Sequence, residues 1–387
     1  MKQVYVDNNA TTRIAPEVLE SMLPFLTEKY GNPSSMHAFG GRIYKDIEKA
    51  REQVAGLLGA EDPKEIIFTS CGTESDNTAI MSVLMSSPDK KHVITTKVEH
   101  AAVLNLCKYL ESRGYKVTYL GVDSEGMLDL EELKNSISRD TAIISVMYAN
   151  NETGVIFPVE EIAEIAAEKG VVFHTDAVQA VGKVPLKLAG LPINILSLSG
   201  HKLHAPKGIG ALYVRRGMKF SPFLIGGHQE QGRRAGTENT ASIVGLGEAC
   251  RLAKEAVGEE SARVKMLRDK LENAVLAKIP NVRVNGNREK RIPNTTNIGF
   301  EFIEGEAILL MLDEKGIFAS SGSACTSRSL APSHVLRAMG IPFSFVQGSI
   351  RFSLSRYNIE KDIDYIIEYL PSIIQRLRKI SPYGKPH

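Results

Sequence analysis

Between about residues 65 and 215 the chain alternates short, apolar, β-branched runs with amphipathic stretches, and few folds accommodate that rhythm. The runs are EIIFTS, HVITT, KVTYLGV, TAIISVMYA, GVVFHTDA, INILSLS and GALYVRR. They are apolar along their whole length, as strands covered on both faces are, and the alternation with helical patterns describes βαβ units around a mostly parallel sheet. The helical stretches carry their own punctuation. In 158–170, Ile162, Ile165 and Ala166 share one face, Pro158 stands at the entry, and Gly170 is placed to follow the last turn. In 43–58, Ile43, Ile47, Ala50, Val54 and Leu58 make a second stripe that stops at Gly59. After residue 250 the rhythm changes. A helix is expected over about 259–279 (Val264, Leu267, Leu271, Val275), with strands near 296–302 and 349–355 and a terminal helix over 359–379. The expected fold class is therefore α/β, a large domain with a smaller α+β C-terminal domain, the boundary falling near 255–260.

The 387 residues are two to three times a usual domain length, which rules out a small binding module. Forty-seven Lys and Arg against 45 Asp and Glu leave a formal charge of +2, too balanced for a broad phosphate-backbone footprint, so no nucleic-acid partner is expected. The start MKQVYVDNN turns polar after six positions, and no apolar run approaches the roughly 18 residues of a membrane span. A cytoplasmic protein without signal or anchor, and without a membrane partner, is the expectation. Cys71, Cys107, Cys250 and Cys325 are scattered with no CxxC pair, a poor basis for a disulfide framework or a thiolate metal site. If a cysteine carries chemistry here, it does so alone.

Lys202, in SLSGHKLHAPKGIG, follows an apolar strand in a short loop. A partly desolvated lysine there suits Schiff-base chemistry, while a solvated loop lysine is the alternative that local context leaves open. Asp176 ends the strand GVVFHTDA, with Gln179 three residues on. In a parallel sheet the carboxyl ends of strands converge on one crevice, so Asp176 and Lys202 are placed to face one ligand. A buried acid with a Schiff-base lysine is what pyridoxal 5′-phosphate requires, since the acid keeps the ring nitrogen protonated. The turn SCGTES at 70–75 opens a helix, and Gly72 and Thr73 there suit an anion such as a phosphate; a plain helix cap by Thr73 or Ser75 fits as well. His100, in KVEH after another strand, suits stacking on a ring or moving protons, or a purely structural place.

Taken in order, VDNNATT (6–12), GNPSS (31–35), SCGTESDN (70–77), VEHAAV (98–103), NNETGV (150–155), HTDAVQ (174–179), SGHKLHAPKGIG (199–210), RAGTEN (234–239), SSGSACTS (320–327) and SIRFSLSR (349–356) resemble the cysteine desulfurases of the NifS/IscS group. The resemblance runs from about residue 4 to 380. It implies the fold type I architecture of pyridoxal-phosphate enzymes, with a large domain over 13–257 around a seven-stranded sheet. Residues 1–12 and 258–387 would form the small domain. It also implies a homodimer with active sites at the interface. By this likeness Lys202 matches the lysine that carries the cofactor, Ser199 and His201 match phosphate-side ligands, and Gly72 and Thr73 match the phosphate turn. Thr237 matches a residue reaching the phosphate from the neighbouring subunit. Asp176 matches the acid at the ring nitrogen, Gln179 and Asn151 match groups near the phenolic oxygen, and His100 matches the stacking imidazole. Arg351 matches the arginine that holds the substrate carboxylate.

Cys325 matches the sulfur acceptor. Its Gly- and Ser-rich surroundings suit an accessible thiol, whereas Cys107 and Cys250 sit in helical patterns as packing and Cys71 reads as a bystander. The implied reaction converts L-cysteine to L-alanine and leaves a persulfide on Cys325 for a sulfur-acceptor or iron–sulfur scaffold protein. The tail stops at 387, short of the longer tail with which IscS-type members dock a scaffold, while the loop SSGSACTSRSLAPSHVL has the length of the group that delivers sulfur directly. Alternatives on the same fold are a selenocysteine lyase or an aminotransferase, the latter having no use for Cys325. A catalytically silent scaffold component is the alternative of another class. Which acceptor takes the sulfur is left open.

Overall fold

The structure, a computed structural model, describes residues 2–321 and 332–382. The chain opens with β1 (Val4–Tyr5). Seven strands then build the large sheet: β2 (Ile66–Thr69), β3 (His92–Thr96), β4 (Lys116–Leu120), β5 (Thr141–Ser145), β6 (Val172–Asp176), β7 (Ile195–Ser199) and β8 (Gly210–Val214). Each falls inside one of the seven apolar runs. Their order is β2-β8-β7-β6-β5-β3-β4. The pairs β4/β3, β3/β5, β5/β6 and β6/β7 are parallel, and β8 runs antiparallel to both β7 and β2. Reversing at β8 twice returns β2 to the direction of β7, so the carboxyl ends of β2, β3, β6 and β7 all open on one edge. Every residue of β2, β3, β5, β7 and β8 is buried, which is why these runs lack the alternation of a half-exposed strand.

The helix punctuation holds. Ile43–Leu58 ends on Gly59, whose φ of 62° is the left-handed conformation that ends a helix at little cost to a residue without Cβ. Val159–Glu168 is followed by Gly170 at φ 63°.

The smaller unit is a four-stranded sheet in the order β12-β13-β10-β9, formed by β9 (Val282–Val284), β10 (Thr295–Phe300), β12 (Ser320–Ser321) and β13 (Ser349–Ser353), while β11 (Ile317–Phe318) pairs parallel with β1. The terminal helix Glu360–Ile380 lays Ile363, Ile366, Leu370, Ile373, Ile374 and Leu377 into its core.

The separate helix expected over 259–279 is corrected: one helix of 39 residues runs from Thr240 to Lys278. Gly245 and Gly247 mask its first half in the sequence, and they are there for contact. A Cβ on Gly245 would lie 2.7 Å from Met22 Sδ, and one on Gly247 would lie 2.6 Å from the Ala50 backbone. The helices Pro16–Thr27 and Ile43–Leu58 thus approach closer than any side chain would allow. The apolar face changes partners along the way. Ala241 to Ala253 pack with the large sheet's core, and Val264 to Val275 pack with the small one. Among the described residues no helix is long and apolar enough to cross a membrane.

Candidate active site

Four strand ends deliver chemistry to the open edge of the large sheet. β2 runs into the turn at Cys71 and Gly72, where the helix Gly72–Ser86 begins. Past β3, His100 caps the helix Ala101–Ser112 by accepting the Ala102 N–H at Nδ1 (3.1 Å). Acceptance at Nδ1 places the proton of a neutral His100 ring on Nε2. β6 ends in Asp176 and turns through Gln179 to Lys183. β7 ends in Ser199 and makes one tight turn, Gly200–Lys202.

These ends surround a cavity of about 280 Å³. Of the expected residues, Gly72, Thr73, His100, Asp176 and Gln179 line it from the first three ends. Ser199, His201 and Lys202 line it from the fourth, with Asn151 and, from β13 of the small sheet, Arg351.

Lys202 Nζ donates to the carbonyls of Asn9 and Ala10, both at 2.6 Å. Gln179 has a committed amide: Asn9 O, a carbonyl that can only accept, lies 3.0 Å away and so takes Nε2, which leaves Oε1 to face Lys183 Nζ at 2.7 Å. The Arg351 guanidinium is 2.7 Å from Asp7 Oδ1 and 2.9 Å from Asn151 O, and its buried Nε has no hydrogen-bond partner. His201 accepts or donates at Thr11 Oγ1 (3.1 Å); burial and the Lys202 charge push its pKa down to about 4.

Two carboxyl groups face the cavity with different neighbours. Asp176 is raised by burial, but the His100 ring, the Val178 N–H at 2.9 Å and Lys202 all favour its charge. Asp76 is raised well above the usual range by burial and then by Asp176 itself. Its Oδ1 has no hydrogen bond, and the nearby His174 (3.6 Å) is pushed down to about 3 by burial and so offers no positive charge. Asp76 is the one that keeps its proton.

The sequence matches the class-V aminotransferase family over residues 4–366. A cysteine desulfurase of Nostoc sp. is 60% identical over 383 residues, covering 99% of this chain and 96% of the relative. The cysteine desulfurase NifS of Azotobacter vinelandii is 58% identical, covering 99% of this chain and 95% of its own. The chain belongs to the class-V aminotransferase family, among its cysteine desulfurases. A solved NifS-like protein superposes with a TM-score of 0.91 at 41% identity, over 97% of this chain and all of that one. The fold is fold type I of the pyridoxal-phosphate enzymes, and pyridoxal 5′-phosphate is the cofactor of this family.

The residues present fit that group. The Ser199 hydroxyl is buried without a partner, and it faces Gly72, where an added Cβ would sit 3.0 Å from Val178 Cγ2 and 3.4 Å from Ser199 Cβ. An orphaned donor beside a helix start where a Cβ would crowd Val178 suits a phosphate oxygen.

Two expectations lie elsewhere. Thr237 is exposed, on the loop before the helix Thr240–Lys278, and does not line the cavity of its own chain. Cys325 lies outside the described residues. Cys71 is corrected: its Sγ accepts the Glu74 N–H (3.4 Å) as the helix cap, in place of Thr73 or Ser75, and it lines the cavity. Cys107 and Cys250 are fully buried with thiols pushed up to about 12, which keeps them unreactive. Residue-level reading missed Asn9, Asp76 and Lys183. The first two stand inside quoted motifs, VDNNATT and SCGTESDN, and that was the available signal.

Proposed function

We propose that the protein is a pyridoxal-phosphate-dependent cysteine desulfurase, converting L-cysteine to L-alanine and passing the sulfur, as a persulfide on Cys325, to an acceptor in iron–sulfur assembly or another sulfur-containing cofactor. The observation that carries the reading is the single cavity in which Asp176 and Gln179 from the end of β6, Ser199 and Lys202 from the end of β7, and Arg351 from β13 meet. When bound there, pyridoxal phosphate supplies an electron-withdrawing ring conjugated to the substrate's Cα.

The chain's own residues supply the rest. Gly72, Thr73, Ser199 and His201 hold the phosphate, a neutral His201 adding a hydrogen bond without a charge. Asp176 keeps the ring nitrogen protonated, and the second amide hydrogen of Gln179, with Asn151, addresses the phenolic oxygen. Arg351 takes the substrate carboxylate; Asp7 and the Asn151 carbonyl fix its plane, leaving Nε for the incoming acid. The amine of Lys202, released when substrate binds, removes the Cα proton, and His100 Nε2 is the second proton carrier. Cys325 thiolate attacks the substrate's Sγ. The C–S bond breaks, an S–S bond forms, and the carbon fragment takes up protons to leave as alanine, so L-cysteine plus a thiol becomes L-alanine plus a persulfide.

The protein works as a homodimer in the cytoplasm, with Thr237 reaching the phosphate of the partner's site. Support for this comes from the exposed Thr237 loop and from Ile225, 83% exposed beside it, an apolar side chain that a second subunit would cover.

Cys325→Ser tests the reading. The variant should keep the yellow cofactor band and respond spectrally to cysteine, yet release no alanine, and neither protein should transaminate an added 2-oxo acid. Alanine formation at the wild-type rate by the serine variant would sink the persulfide scheme.

A further inference from the structure

In the motif VDNNATT, Asp7 serves Arg351, but Asn9 has no assigned role in the chemistry above, although its peptide lies against Lys202. Asn9 is 2% exposed, and every polar atom it has is engaged. Its Nδ2 donates to Thr295 Oγ1 (2.8 Å) and to Asn151 O (3.2 Å). Its Oδ1 accepts from Asn294 Nδ2 (3.1 Å) and Lys183 Nζ (3.5 Å), and its N–H donates to Ser353 Oγ (2.9 Å). Four of these five partners are side-chain groups, and three, on Asn294, Thr295 and Ser353, belong to the small sheet or its approach. What that clamp aims is a peptide: Asn9 O and Ala10 O, the two acceptors of Lys202 Nζ, with Gln179 Nε2 on the first of them.

We infer that Asn9 is a positioning residue: clamped by the small unit, it fixes the Asn9–Ala10 carbonyls as the docking point of the Lys202 ammonium in the cofactor-free protein, before the lysine is joined to the cofactor. Two carbonyls facing one nitrogen favour the ammonium over the amine, because hydrogen bonds from a charged donor are roughly twice as strong. The docking point therefore holds the lysine proton-loaded and at a fixed place. Substrate-side contacts to β13, next to Ser353, would then be felt at the lysine through one buried amide. The inference rests on Lys202 being the cofactor lysine.

The other groups around the lysine are Asp176 from β6, Lys183 from the turn after it, His100 from the helix following β3, His201 beside it and Arg351 from β13. On its far side stand His204, Glu260 and Arg356. Burial and the neighbouring Lys202 charge hold Lys183 well below the usual lysine range, and it donates to Gln179 Oε1 and Asn9 Oδ1.

The test follows cofactor attachment and does not depend on desulfurase turnover. Full-length protein freed of cofactor is mixed with pyridoxal 5′-phosphate over a pH series, and growth of the visible band is timed. Attachment requires the neutral amine, so the pH midpoint of the rate reports the lysine. Asn9→Ala should move that midpoint down by about one pH unit, the worth of one charge-assisted hydrogen bond. Asn8→Ala is the control: Asn8 fastens the same segment to Ser353 O (2.9 Å) but makes no hydrogen bond to Lys202 or Gln179, and its midpoint should stay in place. An unmoved midpoint in Asn9→Ala, or an equal shift in both variants, overturns the inference. Should Asn9→Ala not fold, Thr295→Val removes one arm of the clamp and must shift the midpoint in the same direction. Lys202→Ala must show no band; a persisting band would overturn the lysine assignment itself, separately from anything concerning Cys325.

Discussion

A carboxyl group removed from water is an acid or an anion according to what stands beside it, and Asp76 and Asp176 show both outcomes in one cavity. Asp176 has a backbone N–H, an imidazole and an ammonium favouring its charge; Asp76 has chiefly the negative field of Asp176. Asn is an isostere of a protonated Asp, so the two substitutions should diverge. Asp176→Asn should cut turnover about a hundredfold or more, as removal of a buried charged partner does, and should weaken cofactor retention on gel filtration. Asp76→Asn should stay within a few fold of wild type. Equal losses in the two variants would contradict the assignment of charge. The sequence exposes Asp176 because a strand end in a parallel sheet has a known direction, and it exposes Lys202 in the same way. Asp76 reads as one more acid in a first helical turn, since only the packing of β6 against that helix makes it a cavity wall. Cys71 is hidden for a chemical reason: a thiol is a weak acceptor, and hydroxyls stand nearby as better caps.

Elements made by local pattern were legible, and elements held by distant partners were not. The seven strands follow from apolar runs, and the ends at Gly59 and Gly170 follow from backbone freedom. The loop from Leu224 to Asn239, by contrast, is fixed by pairs 179 and 160 residues apart. Arg51 reaches across to Glu230 with two bonds of 2.6 and 2.8 Å, both side chains buried, and Glu230 also accepts the Phe68 N–H at the start of the large sheet's edge. Arg234 makes a second bidentate pair with Glu74, next to the phosphate turn. Between these anchors Glu230 and Gln231 hold left-handed φ values of 48° and 59°, a conformation costly to residues with a Cβ and kept here by the buried pair. Arg51→Met should therefore cost about 3 kcal/mol or more of stability, because it strands a buried carboxylate. Adding Glu230→Gln should restore part of that loss in urea unfolding, since Gln keeps the Phe68 acceptor without the charge. If the double variant is no more stable than Arg51→Met alone, the stranded charge is not the cause.

At the scale of the molecule, a seam of buried acids lies where the helix His334–Ala338 joins the large sheet's core, and protonation there makes stability vary with pH. Glu99 is fully buried; its Oε1 accepts from the Thr96 hydroxyl (2.8 Å) and the Met147 N–H (3.1 Å), and Oε2 has no hydrogen bond. Its carbonyl accepts from His334 Nε2 (3.0 Å), and close by Glu152 Oε2 accepts from Ser333 (2.5 Å), so the helix His334–Ala338 is fastened to the large sheet at this seam. Burial pushes Glu99 up to about 8 and Glu152 up to about 7 from the ordinary 4.5. Folded Glu99 thus keeps its proton up to about pH 8, while the unfolded chain gives it up near 4.5. Between those values unfolding releases a proton. The contribution of Glu99 is therefore fully present below 4.5, declines as pH rises toward 8, and is flat above. Gln imitates the protonated acid at every pH. Compared at equal cofactor content, Glu99→Gln and wild type should unfold alike near the acid end. The variant should pull ahead by about 1.4 kcal/mol for each pH unit across the window, reaching a few kcal/mol at the alkaline end. Urea midpoints measured at both ends check this. A gap that stays constant with pH would mean that folded Glu99 is already ionised, and that the seam holds a charge which Met147 and Thr96 alone suffice to carry.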